Sequence, residues 1–188
     1  MAYGNGSWVF LDGAIAVGAN TAMVSDDNGV TWTAYQLPIA STTASTYWRD
    51  IIWCPTQNYF MAIGGGGAAS TLIAISTNGK DWSQVTTAPA AAQWQKLAFD
   101  NTQATNKWVA VSGGSAVSTA GTRGSVTTGS FVFTATTLAS ATWIDVTSNG
   151  AGRYIAIAGG SVASTASAYS VDGATWTAGG ALASSLWQ

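Results

Sequence analysis

The sequence predicts an all-β domain of four related repeats, arranged as a small four-bladed β-propeller. Three observations carry that expectation. Trp-led repeats recur about every 47 residues. Short apolar runs alternate with Gly- and Asn-containing turns. The residues that build exposed helices, Glu and Lys above all, are nearly absent.

The composition narrows the class before any motif is read. Only 7% of the 188 residues are charged, against roughly a quarter in an ordinary soluble domain. No apolar run approaches the roughly 18–20 residues of a spanning helix, so no membrane insertion is expected. Ten Trp, six Tyr and five Phe are too many aromatics for a disordered chain. The surface is therefore expected to be neutral and polar, made of Ser, Thr, Asn, Gln, Gly and Ala. A net charge of −2 with no basic cluster argues against nucleic acid as a partner. The segment Met1–Gly6 has no basic stretch leading into an apolar one, so no secretory signal is expected. Cys54 is the sole cysteine; within Ile51-Ile52-Trp53-Cys54 it reads as a small buried apolar side chain.

Three repeats align directly. Trp48-Arg49-Asp50-Ile51-Ile52-Trp53 leads to Asn58-Tyr59-Phe60-Met61-Ala62-Ile63-Gly64. Trp94-Gln95-Lys96-Leu97-Ala98-Phe99 leads to Lys107-Trp108-Val109-Ala110-Val111-Ser112-Gly113. Trp143-Ile144-Asp145-Val146-Thr147 leads to Arg153-Tyr154-Ile155-Ala156-Ile157-Ala158-Gly159. Each is a Trp, an alternating run, a polar turn, an aromatic residue and an apolar run that ends in small residues. The fourth copy is split: Trp187-Gln188 joined to Met1-Ala2-Tyr3 is similar to Trp48-Arg49-Asp50-Ile51-Ile52. The Trp spacings are 46, 49, 44 and, through the termini, 49, which accounts for all 188 residues. A linear array needs atypical end repeats to cap its apolar faces, whereas a ring does not. One domain over 1–188, closed between its terminal segments, is the resulting expectation. A β-sandwich or an open β-solenoid is the alternative fold. Stretches such as 64–70 and 159–167 are read as inner-strand or turn segments, where small side chains let backbones approach, in preference to linkers.

A second signature sits later in each repeat. Ser170, Asp172, Gly173 and Trp176 define it most cleanly; Ser76, Asn78, Gly79 and Trp82 vary it; Ser25, Asp27, Gly29 and Trp32 carry one extra residue before Gly. The copy around Ser125–Phe131 lacks the Trp. Asn-Gly and Asp-Gly favour tight hairpin turns because both residues tolerate positive φ, and a Ser or Asp oxygen can bind the turn amides. Asn5-Gly6, Asp12-Gly13 and Asn149-Gly150 are further turn signals. The motif resembles the Asp-box, or BNR, repeat (Ser-x-Asp-x-Gly-x-Thr-Trp) of sialidase-like and related propellers. That resemblance implies a structural hairpin between the outer strands of each blade.

Catalytic inventory is missing. Glycosidases commonly use paired carboxylates, and the sialidase-like members of the resembled family pair a Tyr nucleophile with Glu and an Arg triad. This chain has no Glu, and Arg49, Arg123 and Arg153 fall at unrelated positions. Without His there is no Ser-His-Asp or Cys-His system and no ordinary zinc site. Asp26-Asp27-Asn28 lacks the spacing of a calcium loop and is read as a turn. The Gly64–Gly67 run lacks the Lys-Ser/Thr ending of a phosphate loop. No enzyme activity, cofactor or metal is expected.

Arg49, Asp50, Lys96 and Asp145 follow the blade Trp residues and are the candidate ligand-binding positions, since equivalent positions in a ring share a face. Solvated strand ends are the plainer alternative for them. The function expected is a non-enzymatic structural or adhesion component of a virus particle, a bacteriophage tail, fibre or capsid-decoration protein. Similar Trp-rich repeats resemble those of phage and bacterial surface proteins. Partners would be other virion proteins or further copies of the chain, with a host-surface glycan as ligand. A soluble extracellular glycan-binding lectin is the alternative.

Overall fold

Alternating apolar runs broken by tight turns fold as antiparallel hairpins, and the computed structural model shows four sheets built this way. It describes residues 1–12, 20–38, 46–87, 89–104, 107–113, 116–127 and 130–187. Blade 1 comprises β1 (Ala2–Gly4), β2 (Ser7–Leu11), β3 (Thr21–Ser25) and β4 (Thr33–Gln36). Blade 2 comprises β5 (Thr46–Cys54), β6 (Tyr59–Gly66), β7 (Ile73–Ser76) and β8 (Ser83–Gln84). Blade 3 comprises β9 (Trp94–Phe99), β10 (Trp108–Ser112), β11 (Ser118–Thr127) and β12 (Ser130–Ala141). Blade 4 comprises β13 (Trp143–Ser148), β14 (Tyr154–Ala158), β15 (Ser167–Ser170) and β16 (Thr177–Ala178). Each sheet keeps its strands in sequence order with every neighbour antiparallel. The architecture is that of a four-bladed β-propeller.

The apolar faces of successive blades bury one another in three clusters. Val9, Ala22 and Val24 of blade 1 meet Ile51, Phe60, Ala62 and Ala74 of blade 2. Met61, Ile63 and Ile73 of blade 2 meet Leu97, Trp108 and Ala110 of blade 3. Val109, Val111 and Leu138 of blade 3 meet Val146, Tyr154, Ala156 and Ala168 of blade 4. Cys54 lies in the second cluster and is fully buried. Desolvation pushes its thiol well above the usual range, as expected of an inert core cysteine.

The repeating Trp residues mark where one blade hands over to the next. In blades 2, 3 and 4 a glycine near the end of the second strand lies against the backbone of the following Trp. A Cβ on Gly65 would fall 2.4 Å from the Trp94 carbonyl oxygen, and one on Gly159 would fall 2.8 Å from that of Trp187. Gly113 abuts Trp143 in the same way. The indoles then bond backwards: Trp94 Nε1 donates to the Ser70 carbonyl at 2.9 Å, Trp143 Nε1 to Ala139 at 2.9 Å and Trp187 Nε1 to Ser164 at 3.2 Å. Trp187 therefore occupies on blade 4 the place that Trp94 occupies on blade 2. The small-residue stretch 64–70 ends β6 and turns towards β7, so it is part of the blade and not a linker. Replacing Trp187 by Ala is expected to cost about 1–2 kcal/mol, a fall of roughly 3–8 °C in Tm; an unchanged thermal melt would refute the docking role.

One sequence reading needs correction. Tyr3 faces Trp8 in the ladder, as Trp53 faces Phe60 and Ser148 faces Tyr154. Tyr3 is thus equivalent to Trp53, one position beyond the alignment with Ile52. The reason is a β-bulge after each blade Trp: the register slips between Trp48 and Asp50, between Trp94 and Lys96, and between Trp143 and Asp145. The run joined through the termini is one residue too short to include it. β13 packs beside β9, β9 beside β5 and β5 beside β1, so the inner strands link the four blades in chain order. Gln188, Gly13 and the turn residues Thr128 and Gly129 lie outside the described residues.

The Ser-Asp/Asn-Gly motifs form the β3–β4, β7–β8 and β15–β16 turns. Asp27 accepts from the Ser25 hydroxyl and from both the amide and the hydroxyl of Thr31. Those Thr31 bonds, with that of Ser25, hold its carboxyl down to about 2. Asn78 accepts from the amides of Lys80 and Asp81, and Asp172 from those of Ala174 and Thr175. Gly29, Gly79 and Gly173 have positive φ. Trp32 and Trp82 donate to Gly29 and Gly79 and close their turns; the Trp176 indole nitrogen is buried without a partner among the described residues. Asn78→Ala should cost about 1–2 kcal/mol while leaving the far-UV spectrum intact; denaturant titration is the check. Blade 3 lacks the motif and has the longest outer hairpin instead, β11–β12.

Candidate functional site

The innermost strands β1, β5, β9 and β13 line one axial cavity of about 580 Å³. Its wall includes Tyr3, Ile52, Trp53, Phe99, Lys96, Asp145, Thr147 and Ser148. The bulge explains which polar groups reach it. One residue after each Trp is squeezed out of the ladder, so Arg49, Gln95 and Ile144 lie at bulges, while Asp50, Lys96 and Asp145 resume pairing and take equivalent places.

These side chains have different fates. Asp50 is buried at 5% exposure. Its Oδ2 accepts from the Leu97 amide at 2.8 Å and its Oδ1 from Lys96 Nζ at 3.1 Å. Desolvation pushes its carboxyl above the ordinary value, opposed by the Lys96 charge and the Leu97 amide. Arg49 Nε donates to Gln95 Oε1 at 3.0 Å. Arg49 and Asp50 are therefore engaged in a clasp between blades 2 and 3. Lys96 keeps a partly exposed ammonium group beside that clasp. Asp145 accepts from the Val146 amide at 2.9 Å and also faces the cavity. Of the four sequence candidates, Lys96 and Asp145 line the cavity and Asp50 and Arg49 hold Lys96 and Gln95 in place.

Sequence reasoning passed over two other groups. Tyr3, 50% exposed on β1, is the most exposed aromatic ring at the cavity; its pairing with Trp8 at 4.8 Å between ring centroids was not legible while the register was off by one. Asp100, fully buried between blades 3 and 4, accepts from the Thr102 amide and hydroxyl and from Ser148 Oγ and the Gly152 amide, the last two at 2.5 and 2.9 Å. Desolvation alone would raise its carboxyl, but the hydrogen bonds from Ser148, Thr102 and Gly152 outweigh it and hold the group below the usual range. Across blades 1 and 2 the corresponding link is Asp26, which accepts from Lys80 Nζ and Ser7 Oγ, each at 2.7 Å. Asp26 and Asp27 thus turn to separate partners. The carboxylates of Asp26, Asp50 and Asp100 each tie one blade to the next.

No protein-family model matches the sequence, and no curated protein does. Solved structures do resemble it. A structure described as YCF48 bound to D1 peptide superposes with a TM-score of 0.54 at 14% identity, over 94% of this chain and 50% of that one. Virginiamycin B lyase from Staphylococcus aureus superposes at 0.68 and 11% identity, over 96% of this chain and 54% of the lyase. The GH74 enzyme of Niastella koreensis superposes at 0.56 and 19% identity, over 94% of this chain and 23% of the enzyme. The chain spans about half the length of the first two and less than a quarter of the third. At these identities the likeness is one of fold, and the chain is a β-propeller.

Proposed function

We propose that this propeller is a non-catalytic structural or adhesion component of a virus particle, of the bacteriophage tail, fibre or capsid-decoration kind. The observation that carries the non-catalytic part is the use made of the carboxylates. Asp26, Asp50 and Asp100 are spent on contacts between blades, and Asp27 and Asp172 on turns. The axial cavity is left with Lys96 and Asp145 as its charged side chains, without the carboxylate pair that glycoside hydrolysis uses. The particle setting is supported by the nearly uncharged Ser/Thr/Gly/Ala surface, by the Asp-box-like turns and by their resemblance to repeats of phage and bacterial surface proteins. Particles purified from a lysate of the producing cells should contain the chain in many copies, with mass spectrometry as the readout. Its absence from the particles would overturn the proposal.

A second reading is favoured by Tyr3. A half-exposed ring on the same cavity wall as Thr147 and Asp145 offers a stacking surface and hydroxyl and carboxylate partners for a neutral sugar. On that reading the chain is retained on immobilised glycan and Tyr3→Ala abolishes retention.

A further inference from the structure

Two sheet faces of this molecule, on the first and last blades, are built like those buried between its blades, yet they stay partly exposed. On blade 1, the face turned away from blade 2 carries Tyr3, Trp8, Phe10 and Met23, which pair across the ladder as Tyr3 with Trp8 and Phe10 with Met23. On blade 2 the equivalent of Trp8 is Phe60, which is fully buried, whereas Trp8, Phe10 and Met23 are only half-buried and Tyr3 is 50% exposed. On blade 4, the face turned away from blade 3 carries Ile155, Ile157 and Tyr169. Ile155 corresponds to Met61 and Val109, both fully buried between blades, yet it is 45% exposed.

We infer that two copies of this chain associate head to tail, blade 4 of each against blade 1 of the other, and so close one two-fold ring. Complementarity is supplied by the chain itself, because the same kind of pairing, second-strand aliphatics of one blade against the aromatic and apolar face of the next, occurs three times within it. Trp187 is already seated on Gly159 and Gly160 as the leading Trp of a following blade would be. The blade 1 face that would follow carries no charged side chain on its ladder residues, and the blade 4 face carries Asp145, paired with Ile157, and Arg153, held over the Tyr169 ring at 5.3 Å. No like-charge contact opposes the pairing. The four blades superpose on 54% of the longer lyase chain, so two copies match about the length of one such chain. A head-to-tail interface repeated by a two-fold axis closes and leaves no apolar face exposed. The inference does not depend on the particle setting and applies equally to the free protein.

Native mass spectrometry and light scattering on the purified 188-residue chain test it. The expected species has twice the 19.1 kDa chain mass. Ile155→Asp and Tyr3→Asp each place a charge in the interface from opposite sides, at positions exposed enough for the single chain to fold. Each should weaken dimerisation by about a hundred-fold or more with an unchanged far-UV spectrum. Val30→Asp, at an 81% exposed turn position, should leave the dimer intact. A monomer at all concentrations overturns the inference, and so does a dimer that neither face substitution weakens.

Discussion

Replacing Asp100 by Ala should destabilise the protein by about 3 kcal/mol. The carboxylate is fully buried where blade 3 meets blade 4 and accepts four hydrogen bonds, two from its own turn and two from the neighbouring blade. Removing it takes the acceptor from the Ser148 hydroxyl and from the Gly152 and Thr102 amides, all part-buried in the clasp, and each group left unsatisfied carries its own cost. Gln103, which reaches the Gly152 and Val171 carbonyls from the same turn, would lose its anchor as well. Denaturant unfolding, compared with wild type at neutral pH, measures the loss. A change under about 0.5 kcal/mol, the usual size for a surface substitution, would show that Asp100 is not the clasp between these blades.

The same residue should also contribute to the acid limb of the stability curve, together with Asp27. Its carboxyl is held below the ordinary range in the folded state, so the folded protein releases that proton more readily than the unfolded chain. Its stabilisation is therefore complete above the unfolded value of about 4 and is lost as pH falls through the depressed folded value. Asp100→Asn keeps the shape and removes the titration. Its stability should vary less between about pH 4 and pH 2 than that of wild type. Parallel curves for the two proteins would remove Asp100 from the acid transition.

How much of this was legible in the sequence depended on the type of signal. The blade Trp residues and the Ser-Asp/Asn-Gly turns were readable because both leave a periodic mark: Trp94, Trp143 and Trp187 make the same contact with Ser70, Ala139 and Ser164. The bulge after each Trp was not readable. A single unpaired residue changes no residue type and shows only in the ladder, yet it shifts Tyr3 from the Ile52 position to that of Trp53. Asp50 looked like a strand-end charge, and its burial depends on Lys96 and Leu97, 46 and 47 positions away. Asp100, in Asp100-Asn101-Thr102, carries no mark of its role in the sequence, because its partners Ser148 and Gly152 belong to the following repeat. Repeats made the fold readable, but the contacts between them, such as Asp50 with Lys96 and Arg49 with Gln95, join equivalent positions that carry different residue types and so leave no periodic trace.

Gly65→Ala should cost about 3 kcal/mol or more, through backbone collision with no polar group lost. A Cβ at Gly65 would lie 2.4 Å from the Trp94 carbonyl oxygen and 2.5 Å from its nitrogen. Neither atom is free to retreat. The Trp94 amide donates to Ala92, whose carbonyl also takes the Ser70 amide, and the Trp94 indole, 1% exposed, is fixed on the Ser70 carbonyl. The added methyl therefore has to push blade 3 away from blade 2 and open the cluster that holds Met61, Ile63 and Trp108. The blade 4 equivalent, Gly159→Ala, should cost less, since its nearest approaches to Trp187 are 2.8–2.9 Å and the indole there is partly exposed. Gly180→Ala meets nothing within 4 Å and should be neutral. Chemical denaturation of the three variants therefore has a required order, Gly65 worst, Gly159 intermediate and Gly180 unchanged. A Gly65→Ala protein as stable as wild type would mean that the close approach of glycine to the next Trp does not set the spacing between blades.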